Sequence, residues 1–287
     1  MTLSLPGPLV SSEWLARHLN DVVVLDATFT MPGADPDAAA IYAAGHIPGA
    51  RFFDIETIAD TASPLPHMVP SAQEFAQIAG RLGVADGAPV VVYDRAGLMS
   101  AGRAWWMLRM FGHENVAVLD GGLKAWTDEG RPVTTDLPAL AAERFTPAPR
   151  RDLVTDRAAV LANVTDQTAQ VIDARSAERF EGRVPEPRAG LRSGHIPHSR
   201  NLPFNLLSDP ATGKVLPPEA LRDVFLQAGV DLDRPIITSC GSGVTASALA
   251  FALALLGRTD VAVYDGSWSE WGQGTQTPVA TGPAEDA

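Results

Sequence analysis

Short β-branched runs recur along the chain and alternate with stretches of helical composition. Val22-Val23-Val24-Leu25, Pro89-Val90-Val91-Val92-Tyr93, Val116-Ala117-Val118-Leu119, Val171-Ile172 and Pro235-Ile236-Ile237 are continuous apolar runs, the pattern of strands buried on both faces. Between them, Ser71-Ala72-Gln73-Glu74 reads as a capping box opening a helix over 71–82, with Gly83 marking its end. Pro217-Pro218-Glu219 opens a second helix that runs to Gln227, ahead of Gly229. The run from Ala246 to Leu256 is apolar apart from one serine and too short to span a bilayer, so it predicts a buried helix. This alternation predicts an α/β fold in which a parallel sheet is flanked by helices.

The landmarks occur twice in the same order. Val22 to Ala27 answers to Val171 to Ala174, and Gly45-His46-Ile47-Pro48 to Gly194-His195-Ile196-Pro197, each followed by an arginine, Arg51 or Arg200. Pro89 to Asp94 parallels Pro235 to Cys240, Val116 to Gly121 parallels Val261 to Gly266, and Trp126 matches Trp271. The repeat predicts two tandem domains: 1–132, a proline-rich linker over 133–152, and 153–287. Residues 282–287 read as a frayed tail. Asp94 then occupies the place of Cys240, and an aspartate cannot carry a persulfide or thioester. Covalent chemistry therefore belongs to the second half alone.

Composition narrows the functional classes. A chain of 287 residues with 46% hydrophobic content has core enough for two domains, and a formal charge of −12 disfavours nucleic acid or an anionic membrane as partner. The N-terminal Met1-Thr2-Leu3-Ser4-Leu5-Pro6-Gly7-Pro8 has no signal or transit pattern, which predicts a cytoplasmic protein. One cysteine excludes an intramolecular disulfide, a CxxC redox pair and a multi-cysteine metal site.

That cysteine lies in Thr238-Ser239-Cys240-Gly241-Ser242-Gly243-Val244-Thr245-Ala246, which reads as strand, small-residue turn and helix. Such a turn aims several backbone N–H groups at one spot, and the helix dipole adds partial positive charge there. A cysteine so placed is favoured as the nucleophilic thiolate. A second concentration of chemistry is Arg175, Arg179, Arg183, Arg188 and Arg192, five arginines with three glutamates among them in an acidic chain. Guanidinium forks bind carboxylates through paired N–H groups. His46 and His195 recur in both halves although only one half has a cysteine, which predicts a structural role. Asp265, Glu270, Trp268 and Trp271 are expected to cap and pack the last helix, and Trp105 and Trp106 to serve the core.

The tandem repeat, the paired Gly-His-Ile-Pro motifs, the lone cysteine in the second half and Asp265-Gly266-Ser267-Trp268-Ser269-Glu270-Trp271 together resemble the two-domain rhodanese superfamily of sulfurtransferases across nearly the whole chain. Within it, Cys240-Gly241-Ser242-Gly243-Val244-Thr245 is similar to the active loop of 3-mercaptopyruvate sulfurtransferases. Thiosulfate-type rhodaneses typically place basic residues after the cysteine, where this chain has Gly241 and Ser242. The resemblance implies that Cys240 takes sulfur as a persulfide, that Gly241, Ser242, Gly243, Val244 and Thr245 cradle it, and that Arg179 and Arg188 hold the donor's carboxylate and keto group. It also implies a relay in which His67, Ser242 and an acidic residue, here Glu56, move a proton. At Met99 several relatives carry tyrosine.

An uncharged loop suits a donor whose charge lies away from its sulfur, so 3-mercaptopyruvate is expected, with cations at a distance from Cys240. A thiosulfate:cyanide sulfurtransferase is the alternative, and a non-enzymatic sulfur carrier a remoter one. A cysteine phosphatase would need arginine six places after the cysteine, where Ala246 stands. A thioredoxin-like dithiol, a small thiol or cyanide is the expected acceptor, because no second cysteine can resolve the persulfide. No metal or organic cofactor is implied.

Overall fold

The computed structural model describes residues 3–31, 33–95 and 97–284. Its contacts divide the chain into two compact units. Unit 1 comprises Met1–Asp60, Val69–Arg150 and Ser208–Val215; unit 2 comprises Thr61–Met68, Arg151–Leu207 and Leu216–Ala287. Each unit thus includes a short strap from the other half of the sequence. Of the stretch 133–152, read above as a linker, residues 133–150 belong to unit 1 and form no helix: Glu143 N–H donates to the Gly80 carbonyl, and Thr146 N–H and Oγ1 donate to Asp86 at 2.6 and 2.7 Å.

Unit 1 contains β1 (Leu9–Val10), α1 (Ser12–His18), β2 (Val23–Asp26), α2 (Ala38–Ala44), β3 (Arg51–Phe52), α3 (Ala72–Arg81), β4 (Val90–Tyr93), α4 (Ala101–Met110), β5 (Val116–Leu119) and α5 (Gly122–Asp128). Unit 2 repeats the series as β6 (Val154–Thr155), α6 (Arg157–Asp166), β7 (Gln170–Asp173), α7 (Ala177–Phe180), β8 (Arg200–Asn201), α8 (Pro218–Gln227), β9 (Ile236–Ser239), α9 (Val244–Leu255), β10 (Ala262–Tyr264) and α10 (Ser267–Trp271). Both sheets are parallel, with strand orders β1-β5-β4-β2-β3 and β6-β10-β9-β7-β8.

Local chemistry accounts for these elements. Ser71 and Glu74 form the reciprocal capping box at α3, and the side chains of Asp37 and Asp156 accept N–H bonds at the starts of α2 and α6. Every residue of β4, β5, β7 and β9 is buried, which is why these runs are apolar without alternation. α9 is apolar all round because nearly all of it is buried. Each buried Leu or Phe there contributes roughly 1.5–3 kcal/mol through removal from water.

The repeat persists in hydrogen bonds as well as letters. Trp126 Nε1 donates to the Pro132 carbonyl at 2.7 Å, and Trp271 Nε1 to the Pro278 carbonyl at 2.8 Å. His46 pairs through its backbone with Thr134 and stacks on Tyr42; His195 pairs with Ala280 and stacks on Phe180. Each Nδ1 meets a backbone carbonyl, of Tyr42 or of Phe180, at 2.9 Å. Both histidines therefore anchor loops, as their symmetry predicts. Trp105, Trp106, Trp268 and Trp271 are buried, and Glu270 accepts the Tyr264 hydroxyl at 2.9 Å.

The 208–215 strap fits against the β4–α4 loop of unit 1, where Gly97 has a φ of +91° and an added Cβ would run into the carbonyl oxygen of Gly213. Asp120 accepts the Val215 N–H at 2.8 Å beside it. Gly97→Ala should therefore lose about 2 kcal/mol or more in urea unfolding, combining left-handed strain with backbone overlap. Gly87→Ala, at φ +72° with nothing within 4 Å of the added carbon, should lose only about 1 kcal/mol. Equal losses would show that the strap yields.

Candidate active site

The crossovers lead to opposite sides from the parallel strands β7, which leads on to β8, and β9, which leads to β10, so the carboxyl ends of β7 and β9 meet at the point where open α/β sheets hold ligands. Cys240 follows β9 directly and is 2% exposed. Gly243, in the left-handed region at φ 79°, turns the chain into α9.

The loop is clasped from one side. The Cys240 carbonyl accepts the Trp268 N–H at 2.9 Å, and the Gly241 carbonyl accepts both the N–H and the hydroxyl of Ser269, at 2.8 and 2.7 Å. Cys240 N–H donates to Ser267 Oγ at 3.1 Å, and that hydroxyl donates to the Tyr264 carbonyl at 2.7 Å. In a trans peptide the N–H points opposite to its carbonyl, so the N–H groups of Gly241 and Ser242 face away from α10. Among the described residues no acceptor meets the backbone N–H groups from Gly241 to Ala246. The result is a cluster of unspent donors at a helix N-terminus beside a sulfur, a setting that favours an anion.

Unit 1 carries the same device filled from within. Asp94, the counterpart of Cys240, is 1% exposed, and its Oδ2 accepts the N–H groups of Ser100 and Ala101 at 2.7 and 2.8 Å. Burial pushes its carboxyl above the ordinary range, against the pull of those N–H bonds. A carboxylate of the chain itself thus occupies the first turn of α4.

His67 belongs to the strap that completes unit 2. Its Nδ1 and Ser242 Oγ share a hydrogen bond of 2.8 Å, both groups buried, and His67 has a φ of 61°, a conformation bulky residues seldom adopt. Glu56, the acidic partner named from the resemblance, is an exposed residue of unit 1 whose own N–H donates to Asp54 at 3.0 Å. The Thr245 hydroxyl, in the first turn of α9, has no partner among the described residues.

The arginine-rich segment separates into distinct roles. Arg192 donates to the carbonyls of Trp271, Gly272 and Thr277 and fastens the end of α10, while Arg183 pairs with Glu181 at the surface. Arg175 is buried, forks onto Asp173 and stacks over Trp268 at 4.2 Å. Arg179 and Arg188 reach the cysteine loop: a Cβ placed on Gly241 would stand 3.2 Å from Arg179 Nη2 and 4.0 Å from Arg188 Nη1. Their charge is thus adjacent to the residue following Cys240. The loop is neutral by its own residues and cationic by its neighbours.

Glu186 was not singled out from the sequence. Its side chain is 1% exposed and bridges Arg175 Nη1 at 2.8 Å and Arg179 Nη2 at 2.5 Å. Three glutamates in a basic segment look alike in sequence; only the Pro185-Glu186-Pro187-Arg188 grouping set this one apart. The Ser267–Ser269 clasp was likewise hidden, because it acts through backbone carbonyls.

Comparison with known proteins agrees with this geometry. The rhodanese-like domain model matches residues 11–129 and again 156–273. The chain is 44% identical over 273 residues to the 3-mercaptopyruvate sulfurtransferase of Escherichia coli, covering 94% of this chain and 96% of that one. It is equally 44% identical over 273 residues to the thiosulfate sulfurtransferase of Cricetulus griseus, covering 92% and 91%. The crystal structure of SseA from Escherichia coli superposes with a TM-score of 0.83 at 42% identity, over 91% of this chain and 98% of that one. With both halves matched and the fold reproduced, this chain belongs to the rhodanese family and carries two rhodanese-like domains in tandem.

Proposed function

We infer that the chain is a sulfurtransferase that takes sulfur from 3-mercaptopyruvate onto Cys240 as a persulfide, releases pyruvate, and passes the sulfur to a thiol or cyanide. The observation that carries this reading is the cluster of unpaired N–H groups from Gly241 to Ala246 beside a buried cysteine, with Arg179 and Arg188 alongside. Curated relatives bearing that activity in their names, at 41–44% identity, support it.

In the reaction, Cys240 Sγ forms a bond to the donor sulfur while Arg179 and Arg188 hold the carboxylate end. The carbon–sulfur bond breaks with its electron pair passing to carbon, giving the pyruvate enolate. The enolate takes a proton, which the His67–Ser242 pair relays from the donor thiol, and the outer sulfur remains as a persulfide anion. The N–H groups of the loop, with the Ser242 and Thr245 hydroxyls, stabilise that anion as an oxyanion hole stabilises an alkoxide. The acceptor is external, a thioredoxin-like dithiol, a small thiol or cyanide, since Cys240 is the only cysteine.

Thiosulfate is the second reading for the donor. The proximity of two guanidinium groups to Gly241 favours it, since a dianion gains from close positive charge. Identity alone does not separate the two, because relatives named for either donor reach 44%.

Intact-mass spectrometry after exposure to 3-mercaptopyruvate should show the gain of one sulfur atom, absent in Cys240→Ser; a gain that survives the substitution would place the chemistry elsewhere. His67→Gln should lower kcat with 3-mercaptopyruvate by roughly 10²-fold, the lower range for a lost acid–base group, and unchanged turnover would remove His67 from the reaction. Arg188→Met should raise KM for 3-mercaptopyruvate by roughly 10–100-fold through loss of a charged hydrogen-bond donor, with pyruvate formation as the readout.

A further inference from the structure

Arg179 and Arg188 reach the same loop but are not electrostatically equivalent. Glu186 grips Arg179 with both oxygens, Oε1 accepting from Nε at 3.2 Å and Oε2 from Nη2 at 2.5 Å. It also accepts from Arg175, which is itself forked onto Asp173. Arg188 makes no hydrogen bond or ion pair to any described residue. Along Asp173, Arg175, Glu186 and Arg179 the charges alternate and cancel, so of the two arginines beside Gly241 only Arg188 has no carboxylate partner among the described residues.

We propose that Glu186 is a positioning residue that sets donor specificity: by offsetting Arg179 and fixing its fork, it leaves the site with one net positive charge, matched to a monoanionic carboxylate rather than to a dianion. This rests on the reading of the chain as a sulfurtransferase with Cys240 as carrier. The chemistry of the two donors makes the distinction. 3-Mercaptopyruvate brings a single carboxylate at the end remote from its sulfur, and Arg188 neutralises it while the fixed Arg179 supplies directed N–H groups. Thiosulfate brings two negative charges compactly, and the second meets the buried Glu186 carboxylate behind Arg179, where the low surrounding polarity strengthens repulsion. Gly241 belongs to the same arrangement: a side chain there would contend with Arg179 at 3.2 Å, so the absence of one at this position leaves room for that guanidinium.

The test is the ratio of kcat/KM for thiosulfate to that for 3-mercaptopyruvate in the full chain, in Glu186→Gln and in Glu186→Asp. The ratio does not depend on the fraction of each variant that folds. Glu186→Gln removes the offsetting charge and should raise the ratio at least about tenfold, a change of about 1.4 kcal/mol in relative transition-state binding. Glu186→Asp keeps the charge and should hold the ratio within about threefold of wild type, even where the shorter reach lowers both values. An unchanged ratio in Glu186→Gln, or the same rise in Glu186→Asp, overturns the assignment and leaves Glu186 as a structural bridge. A wild-type chain that draws sulfur from neither donor overturns the functional reading and this inference with it.

Discussion

The clasp of the Cys240 and Gly241 carbonyls by the first turn of α10 is the interaction on which the second unit depends. Peptide planarity converts it into function, because a carbonyl held on one side commits the next N–H to the other. Ser267, Trp268 and Ser269 therefore act at the cysteine through its backbone, Ser267 and Ser269 adding their hydroxyls to the clasp. The same residues knit the rest of the unit together: Trp268 donates to the Arg192 carbonyl at 2.8 Å and lies beneath Arg175, whose fork and bridge lead through Glu186 to Arg179. A single short helix thus orients the loop and supports the guanidinium that meets it.

The two units are the same construction with opposite settings. In unit 1 the donors at the start of α4 are occupied by the Asp94 carboxylate, and in unit 2 those at the start of α9 have no partner among the described residues. The first unit is in effect a bound form of the second, with a fixed anion where the second has a reactive sulfur. Each unit also includes a strap from the opposite half. One strap brings His67 to Ser242 and the other seats Gly213 against Gly97.

Much of this could be seen in the sequence because it is written locally. The capping box at Ser71, the all-apolar α9, the glycine turn after Cys240 and the paired Gly-His-Ile-Pro motifs each depend on neighbours a few places apart. The counterpart relation of Asp94 and Cys240 needed only counting. What stayed hidden depends on distance: Glu186 is singled out by Arg175 and Arg179 only once the segment folds back, and the α10 clasp takes hold of backbone groups of Cys240 and Gly241 that every residue possesses. The approach of Arg179 and Arg188 to Gly241 is hidden for the same reason, since the loop's own residues carry no charge and the cations arrive across space.

The central claim is that the N–H groups from Gly241 to Ala246 hold the sulfur anion on Cys240. A crystal structure of the chain after exposure to 3-mercaptopyruvate, without acceptor, tests it most directly. A second sulfur is expected on Cys240 Sγ, directed into the loop and within hydrogen-bonding distance of several of those N–H groups, with Asp94 unchanged in its own cradle. A sulfur directed away from the loop towards Arg179 and Arg188, or an unmodified Cys240 in a protein that nonetheless releases pyruvate, would contradict it.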